Sequence, residues 1–176
     1  MKQKRQAKQA NVMKVDGGVR SHCLGISSIK EAFELFINEK VKNIIIKHTN
    51  YKGNKVYKDK WKEVDSIELK AFFGLLFASG LMYLQNYSID NLFRQQSLFH
   101  IPVFASTTSR DRFKQLLNAI RFDNEETRFL RGTDKLFLIR EMTHLLVQNF
   151  KKMFIPFDHV TIDKQLMPFR GDTNLY

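Results

Sequence analysis

A chain of 176 residues with 43% hydrophobic side chains, 16 Phe and only 3 Pro amounts to about one domain, and so aromatic a composition excludes a wholly disordered tail. The 29 Lys and Arg against 18 Asp and Glu, a formal net charge of +11, favour a polyanionic partner, because clustered cations displace the counterions condensed on phosphates. One cysteine, Cys23, excludes an internal disulfide, and with five scattered histidines it offers no tetrahedral zinc site.

Residues 1–27 hold Lys2, Lys4, Arg5, Lys8, Lys14 and Arg20 against Asp16 alone, and are expected to form a basic disordered arm. Its "KQKRQAK" suits a nuclear-import signal or a phosphate-binding arm, in which Lys2, Lys4, Arg5 and Lys8 are candidate DNA contacts. A solvated basic terminus with no specific role is the commoner case. No apolar leader follows the arm, which fits an intracellular, reducing compartment.

From residue 28 the pattern is helical, and residues 28–156 are expected to form a helical domain. "SSIKEAFELFINEKVKNIIIKHTNYKG" opens with Ser28 and Glu31 at capping-box spacing. Behind them Phe33, Phe36, Ile37, Val41, Ile44, Ile45 and His48 recur at three- and four-residue steps, which predicts one helix with a buried face ending before Gly53. A polar, hairpin-like stretch follows, "NYKGNKVYKDKWKEVD". Asp65 with Glu68 repeats the cap ahead of "IELKAFFGLLFASGLMY", a helix apolar nearly all round and therefore expected at the bundle's centre, with Gly74, Ser79 and Gly80 admitting neighbouring helices. Its apolar run is too short to cross about 30 Å of hydrocarbon, so no membrane span is predicted. Phe72, Phe73 and Phe77 are read as core, since stacking on bases needs exposed rings.

Ser88 marks the start of a shorter helix, "IDNLFRQQ". After a break at Pro102, "STTS" leads into "RDRFKQLLNAIRF", with Phe113, Leu116, Leu117 and Ile120 as its apolar stripe. Arg110, Arg112, Lys114 and Arg121 lie at or within this helix, whose amino terminus favours phosphate. They are candidate DNA contacts, and the bland alternative has Arg110 and Arg112 in surface pairs with Asp111, Asp123 or Glu125. A last helix, "DKLFLIREMTHLLVQNFKKMF", carries Leu136, Ile139, Met142, Leu145, Leu146 and Phe150 at helical spacing up to Pro156. His48 and His144 are read as packing residues. In "HVTID", Val160 and Ile162 alternate with His159, Thr161 and Asp163, the period of a strand whose pairing groups find no obvious partner strand.

The order "EAFELF … HTNY … IELKAFFGLLFASGL … SRDRFKQLLNAIRF … DKLFLIR … PFDHVTIDKQLMPFRG" resembles the amino-terminal half of the piggyBac-type transposases and their domesticated, transposable-element-derived relatives, over roughly residues 28–172. "SRDRF" at 109–113 and "TIDKQLMPFRG" at 161–171 are the most specific pieces. The resemblance implies a mainly α fold: a helical bundle serving as a dimerisation and DNA-binding region, ending in the first strand of a truncated ribonuclease-H-like catalytic core at 157–176. It also implies a nuclear setting and DNA as partner.

In that family the aspartate of the "TID" strand is the first of three carboxylates that hold catalytic Mg2+ or Mn2+, and Asp163 matches it. Paired divalent ions need several rigid acids, and the family's other two lie farther along the chain than these residues reach. Asp158 and Asp172 sit in flanking turns, unsuited to replace them. Two departures are local: Lys164 stands where relatives have glutamate, and Asp172 follows "PFRG" where they have a basic residue. The family's cysteine-rich zinc tail has no counterpart here. The expectation is therefore a non-catalytic, DNA-associated remnant that needs no cofactor. Two alternatives stand beside it: an incomplete gene model of an active cut-and-paste transposase, and an interaction module that pairs with itself or with a full-length transposase.

Overall fold

Helix starts in this chain are written locally, and the computed structural model, which describes residues 16–157 and 159–160, shows how. Ser28 Oγ accepts from Glu31 N (3.1 Å) to begin α1, Ile29–Phe36, and Asp65 Oδ1 accepts from Glu68 N (2.7 Å) to begin α3, Ser66–Leu81. Ser88 caps α4, Ile89–Phe93, and Ser109 caps α6, Arg110–Ala119, in the same way. Each such cap satisfies an amide that the helix leaves without a partner and contributes about 1 kcal/mol. The fold is mainly helical, completed by α2 (Glu39–Tyr57), α5 (Pro102–Thr107) and α7 (Phe137–Met153).

The single helix expected from Ser28 to Gly53 is two. Ile37 leaves helical geometry (φ −98°, ψ 65°), and Asn38 caps α2 by accepting from Val41 N at 3.2 Å. The cause is distant in sequence. Asn149, buried on α7, donates to the Phe36 carbonyl (2.9 Å) and accepts from Asn38 Nδ2 (3.1 Å), so the Phe36 carbonyl that the break frees finds a partner.

α2 then runs through Gly53, where a stop was expected, and takes up the first half of the hairpin-like stretch. Gly53 faces Trp61, whose ring would lie 2.0 Å from a Cβ at that position; the glycine is there for a close approach inside a helix. Pro102 likewise opens a helix instead of breaking one: it occupies the first turn of α5, where its missing N–H costs nothing.

The chain divides into two units, Ile26–Phe150 and a smaller one drawn from the segments on either side of it. The core of the larger unit gathers Val41 and Ile45 of α2, Leu69, Phe72 and Leu75 of α3, Leu92, Phe104, Phe113, Leu116 and Met142. Phe113 is its aromatic hub, with ring centroids 5.5–5.8 Å from those of Phe72, Phe93 and Phe104. α3 is not enclosed as its composition predicted. Ile67, Phe77 and Leu81 are exposed, and a Cβ at Gly74 or Gly80 would meet nothing within 4 Å, so no helix among the described residues closes on those glycines. Instead α1 and α3 leave an open groove of about 550 Å³, floored by Phe33, Phe73 and Phe77 and rimmed by Lys30, Glu34 and Lys70. The stripe expected on α7 is also only partly inward: Met142 is buried, while Leu136, Ile139 and Phe150 are half exposed.

In the smaller unit, β1 (Gly18–Val19) pairs antiparallel with β2 (Phe154–Ile155) in the register Gly18 to Ile155 and Val19 to Phe154. A single 3-10 turn, Ser21–Cys23, follows β1 and buries Cys23. Residues 18–23 thus take up regular structure where a disordered arm was expected: 18–19 pair with β2, Arg20 N donates to the Met153 carbonyl at 2.9 Å, and Cys23 N closes the turn on the Arg20 carbonyl at 2.8 Å. Strand geometry appears at 154–155, and His159 and Val160 have none; the rest of the strand expected at "HVTID" lies outside the described residues.

Candidate functional site

Two places on the larger unit concentrate cations, and their chemistry differs. The first is the start of α6, the helix that the sequence nominated. Ser109 fixes its first turn, from which Arg110 and Lys114 converge on one acid and Arg112 reaches another. Arg110 Nε donates to Asp111 Oδ1 (2.9 Å) and its Nη1 to Asp90 Oδ1 (3.1 Å). Lys114 Nζ reaches both oxygens of Asp90, at 2.9 and 3.0 Å. The hydrogen bond from Lys114 holds the Asp90 carboxyl below its ordinary range, and the bond to Asp111 raises the Arg110 guanidinium.

Arg112 turns inward. Its Nε and Nη2 form a fork on Glu68, 2.7 Å each, while Nη2 also donates to the Lys62 carbonyl at 2.6 Å. Its guanidinium carbon lies 4.5 Å from the centre of the Trp61 ring, and the side chain is only 12% exposed. Arg121, two residues beyond the end of α6, pairs with no acid among the described residues and donates to the Ile120 carbonyl at 2.8 Å. The structure therefore gathers Arg110 and Lys114 around Asp90, commits Arg112 to the fold, and sets Arg121 apart. The pairing with Asp111 is as the sequence allowed. Asp123 and Glu125 serve other cations: Arg128 holds Asp123 (2.7 Å), and Lys52 and Lys55 hold Glu125 (3.5 and 3.3 Å).

The second place escaped the sequence reading. Between α2 and α3 the segment Lys58–Lys60 makes a 3-10 turn and Trp61 follows. Lys58 adopts φ 50° and ψ −128°, and its N–H closes α2 on the Asn54 carbonyl. Trp61 is buried and pinned on every side. Its ring stacks on Tyr57 (5.7 Å between centroids, 11° between planes), and Nε1 donates to Asn50 Oδ1 at 3.2 Å. Asn50 also accepts from Val64 N (2.7 Å) and donates to the Val64 carbonyl (3.0 Å), tying both ends of the loop to α2. Around this anchor Lys58, Lys60 and Lys62 are all exposed. The available signal was the alternation of Lys with a lone Trp in "KDKWK", masked by reading the stretch as a polar hairpin.

His48 is half buried, and burial first, then Lys47, pushes its imidazole below the ordinary histidine value against the pull of Glu141 and Asp123. His144 bonds Gln148 at 2.8 Å. Among the described residues no three His, Cys, Asp or Glu side chains come together in a way that could hold a metal ion. Asp163, Lys2, Lys4, Arg5 and Lys8 lie outside the described residues. No helix among the described residues is long and apolar enough to cross a membrane.

Comparison with known proteins adds two findings. The profile of a family described as Transposase IS4 matches residues 29–176. The fold is similar to that of a piggyBac transposase solved by cryo-EM in a synaptic complex with hairpin DNA, at 25% sequence identity and a TM-score of 0.72, over 81% of this chain and 30% of that one. The chain thus spans under a third of that transposase's length.

Proposed function

The chain belongs to the Transposase IS4 family, and from that premise we propose that these 176 residues form a transposase-derived, DNA-associated helical module that binds duplex DNA without cutting it and works in the nucleus. The family match over residues 29–176 carries the reading; the likeness to a transposase solved on DNA and the net charge of +11 support it. The inactivity rests on ligand number. Asp163 matches the family's first metal-binding carboxylate, and one aspartate cannot cage two divalent ions. Joined to a longer polypeptide that supplies the other acids, the same module would serve a working cut-and-paste enzyme dependent on Mg2+ or Mn2+.

The test is titration of labelled duplex DNA with the purified chain across a salt series, alongside a nicking assay with Mg2+ or Mn2+. Binding that weakens steeply with salt, with no nicking, is expected. Metal-dependent nicking abolished by Asp163→Ala, or salt-insensitive sequence-selective binding, overturns the reading.

A second reading draws on the open apolar groove between α1 and α3: a protein-pairing module for a second copy or a full-length transposase. Retained self-association in sedimentation with no DNA shift at low salt favours it over the first.

A further inference from the structure

The geometry points to the Trp61-pinned turn, and not the start of α6, as the surface that meets the phosphates of duplex DNA; the inference rests on the DNA-associated reading above. The cations at the start of α6 are already ion-paired, Arg110 with Asp90 and Asp111, Lys114 with Asp90 and Arg112 with Glu68. To serve a phosphate they would first have to leave charge-assisted bonds. Lys58, Lys60 and Lys62 have no such commitment. They are exposed, take part in no ion pair among the described residues, and fall within one five-residue stretch. Two acids stand among them, Asp59 and Glu63, the latter accepting from Asn54 Nδ2 at 3.3 Å, and the three lysines leave the stretch 58–63 with a net positive charge.

Two further observations separate this turn from an ordinary solvated loop. Its backbone is fixed by Trp61 and Asn50, so the lysines sit on a rigid mount and ordering them costs only side-chain freedom. And Lys58 holds a φ of 50° with ψ −128°, a conformation that glycine adopts without strain and a lysine does not. Retaining a strained backbone for the sake of a side chain is the pattern of a functional position. A favourable interaction with the carboxyl end of α2 would explain Lys58 alone; it leaves Lys60 and Lys62 unexplained.

Fluorescence anisotropy of a labelled duplex, read across sodium chloride concentrations, tests the assignment. The variant Lys58→Gln/Lys60→Gln/Lys62→Gln is compared with wild type and with Lys40→Gln/Lys47→Gln/Lys135→Gln, which removes three exposed, unpaired lysines elsewhere. With about 0.9 counterions released per phosphate contact, the turn variant should lower the slope of log affinity against log salt by about 2.7. The control should lower it by less than about 0.9. Unchanged Trp61 emission verifies that each variant is folded. If wild type binds and the two variants lose equal slope, or the turn variant loses none, the assignment is overturned. If wild type fails to bind at low salt, the DNA-associated reading falls first and takes the assignment with it.

Discussion

Replacing Gly53 with alanine sets two effects against each other, and the structure decides the sign. In an isolated helix the change is favourable by about 1 kcal/mol, because glycine carries the larger entropy cost. Here the new Cβ would lie 2.0, 2.3 and 2.4 Å from Cε2, Cδ2 and Cζ2 of Trp61, and ordinary carbon contacts of about 3.5–4.0 Å require the ring to retreat by roughly 1.5–2 Å. That ring is 7% exposed, stacked on Tyr57, under Arg112 and bonded to Asn50. Overpacking costs about 1–3 kcal/mol, the strained Asn50 hydrogen bond about 1, and the weakened cation–π contact about 0.5 or more. Net of the helix gain, Gly53→Ala should destabilise the fold by about 2–3 kcal/mol, a fall of about 5–10 °C in Tm. Trp61 is the sole tryptophan, so urea unfolding followed by its fluorescence reads both stability and ring environment, and a red-shifted native emission should accompany the lower midpoint. A midpoint at or above wild type with unshifted emission would refute the steric argument. In the Trp61→Phe background the penalty should shrink, since the smaller ring can yield.

Three further expectations follow from single side chains. Lys58→Gly relieves the positive-φ strain and should raise stability by about 1 kcal/mol in thermal unfolding while weakening DNA binding; a loss of stability would show that the side chain, and not the backbone, is what the turn needs. Arg112→Lys keeps the charge but loses the fork on Glu68 and the flat contact with Trp61, and should cost about 2 kcal/mol in denaturant titration; a neutral result would mean the pair contributes only as exposed ion pairs do. The depressed His48 value means that the unfolded chain takes up this proton first as pH falls through about 6.5. Stability should therefore decline between neutral pH and the lower folded value and level off below it, and His48→Gln should flatten that part of the Tm profile; an unchanged slope would place the titration elsewhere.

What could be read from the sequence was local. Ser28, Asp65 and Ser88 each announce a helix within four residues, since a cap involves only its own first turn, and all three hold in the structure. What could not be read depends on partners far along the chain. The break at Ile37 is bridged by Asn149, 113 residues beyond Phe36, and the apolar periodicity of the sequence continues across it without marking the break. Gly53 was taken for a stop because glycine usually is one; only the folded chain shows Trp61 lying over it. The apolar wrap of α3 promised full enclosure, yet composition cannot distinguish a face covered by this polypeptide from one left open, as at Phe77 and Leu81. At the candidate site the reading found the cations of α6 and the neighbouring Asp111 but not the other acids, for Glu68 and Asp90 approach from other helices.

The contact between Gly53 and Trp61 also bears on how such a chain can change over generations. Neither position can drift by itself, since any larger residue at the first evicts the indole and any smaller ring at the second leaves the glycine idle within its helix. The two should therefore be inherited together or lost together, with the lysines beside them following the fate of the pair.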